Sequence, residues 1–300
     1  MNTTPLAADP PSHAVEAAHP ADRLLTAIEA IGAPACVGLD PVWSKLPHAV
    51  RRDSASEVDG IRRFGLGVVE AIAGRVPAIK VQSACFERYG AAGFDALAAV
   101  MSAAKRHGLV AILDAKRGDI GISAAHYAEA AQGFGADWTT VNGYFGPDGL
   151  APFRQGRGAF VLVRTSNPDG DLVQGLRLAD GRTVAEAVGE MVATAGDSSI
   201  GDCGFSDLGA VVGATKPKDA AALRERMPRQ IFLVPGFGAQ GGSADDVRAC
   251  FDASGRGAIV TASRSVIYAF EPASEGWPEQ VSEAACRLGE ELRSALGSSA

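Results

Sequence analysis

Eight short apolar runs, separated by helix-like stretches, constrain this sequence more than any other feature. They are "ACVGLD" (35–40), "PAIKVQ" (77–82), "LVAILDAK" (109–116), "DWTTVN" (137–142), "AFVLVRT" (159–165), "GAVVGA" (209–214), "QIFLVP" (230–235) and "GAIVTA" (257–262). Each is nearly continuous in apolar character. That is the pattern of strands covered on both faces, and therefore of a parallel sheet. The gaps carry helical periodicity. Leu24, Leu25, Ile28 and Ile31 share a face of 22–31, and Ala284, Leu288, Leu292 and Leu296 recur every four residues near the end. Eight strands alternating with helices predict an α/β fold, a single-domain (β/α)8 TIM barrel. A doubly wound open sheet is the alternative, but no GxGxxG follows the first strand. The barrel is expected over 21–300, after a Pro- and Ala-rich tail at 1–20. One gap, 166–208, is longer than the rest. It reads as an extended loop with one added helix at about 183–195, on the barrel face where long loops cover ligands.

Composition narrows the function classes. The net charge of −7 argues against a surface for nucleic acid or membrane. The five cysteines are dispersed with no CxxC pair, so neither a zinc site nor a disulfide framework is suggested. No His/carboxylate cluster has metal-ligand spacing, so no metal is expected. The first twenty residues lack the basic and apolar regions of a secretory signal, and no apolar run reaches the ~18 residues of a membrane span. The expectation is a soluble, cytoplasmic protein.

Chemistry concentrates where the third run ends. In "ILDAKRGDIGISAAHYA" (112–128), Asp114, Lys116, Arg117 and Asp119 place four charges within six residues. Residues i and i+2 of a strand share a face, so Asp114 and Lys116 should both point into the barrel mouth. Gly118 allows a turn that frees Asp119 from the alternation. Lys80, on the inward face of the neighbouring second strand, completes an array of alternating sign: Lys80, Asp114, Lys116 and Asp119. Such an array can be a structural ion-pair layer at the rim or a prearranged site. Its position at C-terminal strand ends favours the site. Asp40 closes strand one and Ser166 follows strand five. The seventh strand opens into "PGFGAQGG" (235–242) and the eighth into "TASRS" (261–265). Glycine-rich backbone with Arg264 beside it suits a phosphate monoester. The cysteines lack a base nearby in sequence, which disfavours a thiol nucleophile. His126 reads as a packed or capping residue.

These motifs together resemble orotidine 5′-phosphate decarboxylase. "DAKRGDIGISA" is similar to that family's DxKRGDIGxTA signature, and "VGLDP", "IKVQSACFERYG", "VRTSNP", "VVGAT", "VPGFGAQGG" and "TASRS" follow in the expected order, from Asp40 to about Ala269. "RTSNP" and the long loop after it look like the longer bacterial subgroup. The resemblance implies that Lys80, Asp114 and Lys116 form a catalytic Lys-Asp-Lys set. It implies that Asp119 reaches into a partner subunit's site with Ile120 and Ser123, making the enzyme a homodimer with shared sites. Asp40 would bind a ribose hydroxyl and Ser166 read the pyrimidine. Gln240 and Arg264 would hold the phosphate, with Gly238 and Gly241 backbone nearby and Pro235 opening that loop. Ser123 stands where Thr is common, and keeps the hydroxyl. The implied reaction takes orotidine monophosphate to uridine monophosphate and carbon dioxide without a cofactor, with Lys116 protonating C6. The rivals are a metal-dependent sugar-phosphate decarboxylase or synthase of the same superfamily, a non-catalytic nucleotide-binding barrel and, more weakly, a Lys80 Schiff-base aldolase. Arg117 is given no role beyond an ion pair.

Overall fold

Eight parallel strands pair in sequence order, and the last returns to the first: β1 (Ala35–Leu39), β2 (Ala78–Gln82), β3 (Val110–Arg117), β4 (Trp138–Asn142), β5 (Gly158–Arg164), β6 (Leu208–Val212), β7 (Phe232–Pro235) and β8 (Ala258–Ala262) close a barrel. The computed structural model describes residues 18–237 and 244–297. All eight apolar runs are strands, and the helical gaps are helices, including Val184–Gly196 in the long β5–β6 connection. Most of the tail expected at 1–20 lies outside the described residues, and Pro20 already opens the first helix, Pro20–Ile31. Among the described residues no helix is long and apolar enough to cross a membrane.

Strand alternation divides the core into two layers. Val37, Leu39, Ile79, Val81, Ala111, Leu113, Val161 and Val260 face outward and pack under the helices. Cys36, Ala78, Val110, Ile112, Trp138, Phe160, Val211, Leu233 and Ile259 fill the barrel itself. This double burial is why the runs read as continuous rather than alternating. Trp138 and Phe160 stack inside the barrel with centroids 4.3 Å apart. Room for them comes from glycine: a Cβ at Gly158 would lie 2.2 Å from the Trp138 ring, and one at Gly209 2.6 Å from Phe160. The helix Pro20–Ile31 closes the N-terminal end, inserting Ala21, Leu24 and Leu25 against the inner layer.

The C-terminal end stays open. There the inward positions turn polar: Lys80, Asp114, Thr140 and Thr261, all buried, end the inner layer where the apolar filling stops. Barrels of this class place ligands at that end.

Candidate active site

The open end of the barrel holds a cavity of about 580 Å³, within the range of small-molecule sites. Its walls include Asp40, Lys80, Asp114, Lys116, Ser166, Pro235 and Arg264, so seven of the residues singled out in the sequence meet there. Val42, Lys45, Gln82, Thr140, Asn167 and Tyr268 line it too, and sequence reasoning passed over them. For Gln82 and Thr140 a signal existed: each sits at the inward phase of its strand. Lys45 ends a short 3-10 helix after β1 and Tyr268 caps a one-turn helix after β8, and no periodicity points to them.

Asp114 is the centre of the arrangement. Its Oδ2 accepts from Lys80 Nζ at 2.6 Å and from Gln82 Nε2 at 3.3 Å. Its Oδ1 accepts from Lys116 Nζ at 2.6 Å and from the Thr140 hydroxyl at 2.8 Å. A second acid, Asp40, stands 3.7 Å from Lys80. Two acids and two ammonium groups thus sum to zero, which lets charge persist in a partly dry pocket.

Burial sets the ionisation of this cluster. It opposes the charge on Asp114, but Lys80 and then Lys116 more than offset it, and the carboxyl is held well below the usual carboxylate range. Burial likewise opposes the Lys80 charge, and Asp114 and then Asp40 reverse the effect, so the ammonium is held above its ordinary value. Both groups are ionised at neutral pH. The two lysines differ in access: the Lys80 side chain is 8% exposed and that of Lys116 46%. Lys80 is a fixed counter-charge, and Lys116 is the cation that can meet a ligand. Burial pushes the Cys36 thiol up to about 12 and Cys85 up to about 11, so neither supplies thiolate at neutral pH.

The strand alternation expected for Lys116 is only half the story. Pairing of β3 with β4 shifts register between Leu113 and Arg117. Lys116 has φ +49°, and it is the only non-glycine with positive φ among the described residues. Its ammonium meets Asp114 across a bulge, not by simple i, i+2 geometry.

Asp119, Ile120 and Ser123 do not join the cavity. Asp119 accepts from the Ile120 amide at 2.8 Å, and Ile120 is 66% exposed. Ser123 is exposed on the helix Gly121–Gly133. Within one chain the four-charge array of the sequence reading is therefore Lys80, Asp114 and Lys116, with Asp40 as the fourth group in place of Asp119. Arg117, by contrast, finds the expected ion pair: it bonds Glu87 and donates to the Ala115 carbonyl at 2.8 Å. Gly238, Gln240 and Gly241 lie outside the described residues. Among the described residues no three of His, Cys, Asp and Glu group as a metal site would require.

Known proteins resemble this chain over most of its length. The model of the orotidine 5′-phosphate decarboxylase / HUMPS family matches residues 34–276. The chain is 42% identical to orotidine 5′-phosphate decarboxylase of Rhodopirellula baltica, over 91% of this chain and 98% of that one. It is 42% identical to the Deinococcus radiodurans protein of the same name, over 87% of this chain and 92% of that one. Among solved structures, Leishmania donovani OMP decarboxylase superposes with a TM-score of 0.76 at 30% identity, covering 94% of this chain and 100% of that one. The chain belongs to the orotidine 5′-phosphate decarboxylase / HUMPS family.

Proposed function

We propose that this protein decarboxylates orotidine 5′-monophosphate to uridine 5′-monophosphate and carbon dioxide, a step of pyrimidine nucleotide synthesis. The observation that carries the reading is Asp114, an ionised carboxylate fixed between Lys80 and Lys116 at the inner end of the cavity. A substrate carboxylate seated beside Asp114 would meet a like charge. At ~4 Å and an effective dielectric near 20, the repulsion is about 4 kcal/mol. Breaking the C6–carboxyl bond releases neutral carbon dioxide and leaves the electron pair on C6, which relieves it. The Lys116 ammonium stabilises that developing charge and gives its proton to C6. The resulting amine takes a proton back from solvent. Preorganised electrostatics and general-acid catalysis share the task.

The remaining contacts follow from the family pattern. Asp40 takes a ribose hydroxyl, Ser166 reads the pyrimidine, and Arg264 binds phosphate together with Pro235, Gly238, Gln240 and Gly241 of the β7 loop. Phosphate binding remote from C6 supplies energy for holding the strained ground state. In the working enzyme two chains share their sites, Asp119, Ile120 and Ser123 serving the partner's. Supporting this are the exposure of Ile120, Ile122, Tyr144 and Phe145 and the nearness of Phe145 and Asp119, which both flank Gly149. Large exposed apolar side chains in one patch mark an interaction surface. The five cysteines are all free, which suits a reducing, cytoplasmic compartment.

The deciding assay follows pyrimidine absorbance as orotidine monophosphate is consumed, with and without EDTA. Activity that survives chelation supports the reading. Activity lost with EDTA favours the metal-dependent rival. Mixing Lys116→Ala with Asp119→Ala protein tests the shared site: heterodimers should regain activity, because one of their two sites carries neither substitution. No recovery after confirmed subunit exchange removes the shared-site part.

A further inference from the structure

Lys116 sits in a backbone conformation that L side chains adopt only when their surroundings impose it. What imposes it is visible on both sides of β3. On the inner side, the Lys116 amide donates to Thr140 Oγ1 at 3.0 Å, and that same hydroxyl donates to Asp114 Oδ1 at 2.8 Å. One hydroxyl therefore ties the bulged backbone of one catalytic candidate to the carboxylate of the other. Its single proton is committed to Asp114, so toward the Lys116 amide it can act only as acceptor. Thr140 is 1% exposed, so solvent has little access to the bond.

On the outer side, Arg117 folds back and donates Nη1 to the Ala115 carbonyl at 2.8 Å, bracketing Lys116 between its two neighbours. The guanidinium is anchored by Glu87, which also accepts from the Ser83 hydroxyl. It lies 5.7 Å from the centroid of the Tyr127 ring. The Ser83 amide in turn donates to the Asp114 carbonyl at 3.2 Å. The outer network thus holds the backbone of Asp114 and of Ala115, on either flank of the turn that presents Lys116.

We propose that Thr140 from within and the Arg117–Glu87 pair from without are positioning residues, which hold the β3 bulge so that the Lys116 ammonium stands against Asp114 and toward the ligand. The inference rests on the decarboxylase reading for its kinetic consequence, but its structural content stands apart from it. Arg117, to which the sequence assigned no more than an ion pair, acquires a role. Thr140 gains a role no motif assigned.

Thr140→Val keeps the shape and removes the hydroxyl, Thr140→Ser keeps the hydroxyl, and Arg117→Met keeps the stem and removes the ion pair. In Thr140→Val, kcat should fall about tenfold to a hundredfold, the scale of a misplaced catalytic group, with KM within about twofold. Arg117→Met should fall less, and Thr140→Ser should recover most of the rate. Crystal structures supply the second readout. In Thr140→Val, Lys116 should return to negative φ and its ammonium should leave Asp114; in Thr140→Ser both should stay. Wild-type protein inactive on orotidine monophosphate would defeat the functional reading alone, and the crystal structures would still decide this one. The inference is overturned if Thr140→Val leaves Lys116 at positive φ and in contact with Asp114. An unchanged kcat, a kcat no better in Thr140→Ser, or a loss wholly in KM would overturn it equally. If Thr140→Val does not fold, Arg117→Met at the half-buried outer position carries the same two readouts.

Discussion

Both ends of this barrel bury a cation, and they do so in opposite ways. At the C-terminal end, Lys80 is neutralised by a carboxylate at 2.6 Å and its ammonium is held above the ordinary value. At the N-terminal end, Arg224 is 8% exposed and meets main-chain carbonyls instead: Gln230 at 2.7 Å, Gly257 at 3.0 Å, Cys250 at 3.3 Å, and Met227. Its guanidinium carbon lies 3.9 Å from the centroid of the Phe232 ring. Burial, only partly opposed by Asp252, pushes it down to about 10. The carbonyls belong to segments leading into β7 and β8, so Arg224 ties the closing strands together, and it does not line the site cavity. The difference separates two uses of buried charge. A carboxylate partner creates a local field that a ligand can feel, while carbonyl dipoles spread the charge into the scaffold. It fits the general division of such barrels, chemistry above and stability below.

The largest effect that could break this comparison is on turnover. Lys116→Ala should cut kcat by about 10²–10⁴-fold, the usual share of a positioned general acid, with an almost unchanged melting temperature. Near wild-type decarboxylation would end the acid assignment. At the other end, Arg224→Met should do the reverse. Leaving several buried carbonyls without a donor costs on the order of 3 kcal/mol, read by urea denaturation, while kcat per folded molecule stays put. A fall in kcat with intact stability would show that the two ends are not separable.

Gly158→Ala probes the filling between them. Its new methyl would press on the Trp138 ring, and overpacking should destabilise by about 1–3 kcal/mol, seen as a lower melting temperature. The smallest effect is the acid limb of stability. The Asp114 carboxyl titrates lower folded than its ordinary 3.8. Its contribution is therefore complete above that value and is lost as pH falls from there toward the folded value. Lys80→Met should shrink this loss by up to about 1 kcal/mol between pH 5 and 3. An unaltered acid limb would mean Lys80 is not what holds Asp114 ionised.

How far the sequence was legible follows the range of the interactions. All eight strands could be read, because a strand buried on both faces must be apolar throughout. The (β/α)8 arrangement then follows from their number and spacing. The pairing of Lys80 with Asp114 was accessible from strand phase alone. Asp40 as the fourth charge was not, since its approach to Lys80 depends on β1 and β2 being in register at Gly38 and Lys80. Strand phase does not place Asp119 outside the cavity of its own chain either, for that depends on how the segment after Gly118 leaves the strand; only the family resemblance pointed it toward a partner's site.

The sequence by itself determined the barrel, the end at which its interior turns polar, and the residue types gathered there. Periodicity and hydrophobic burial are local, and they survive in one dimension. Only the tertiary structure decided that Lys116 reaches Asp114 through a left-handed bulge, that Thr140 and Arg117 brace it, and that Arg224 is held by carbonyls. Each of these depends on register between strands and on groups 24 to 33 residues apart in the chain meeting within about 3 Å, distances that no spacing in the sequence encodes.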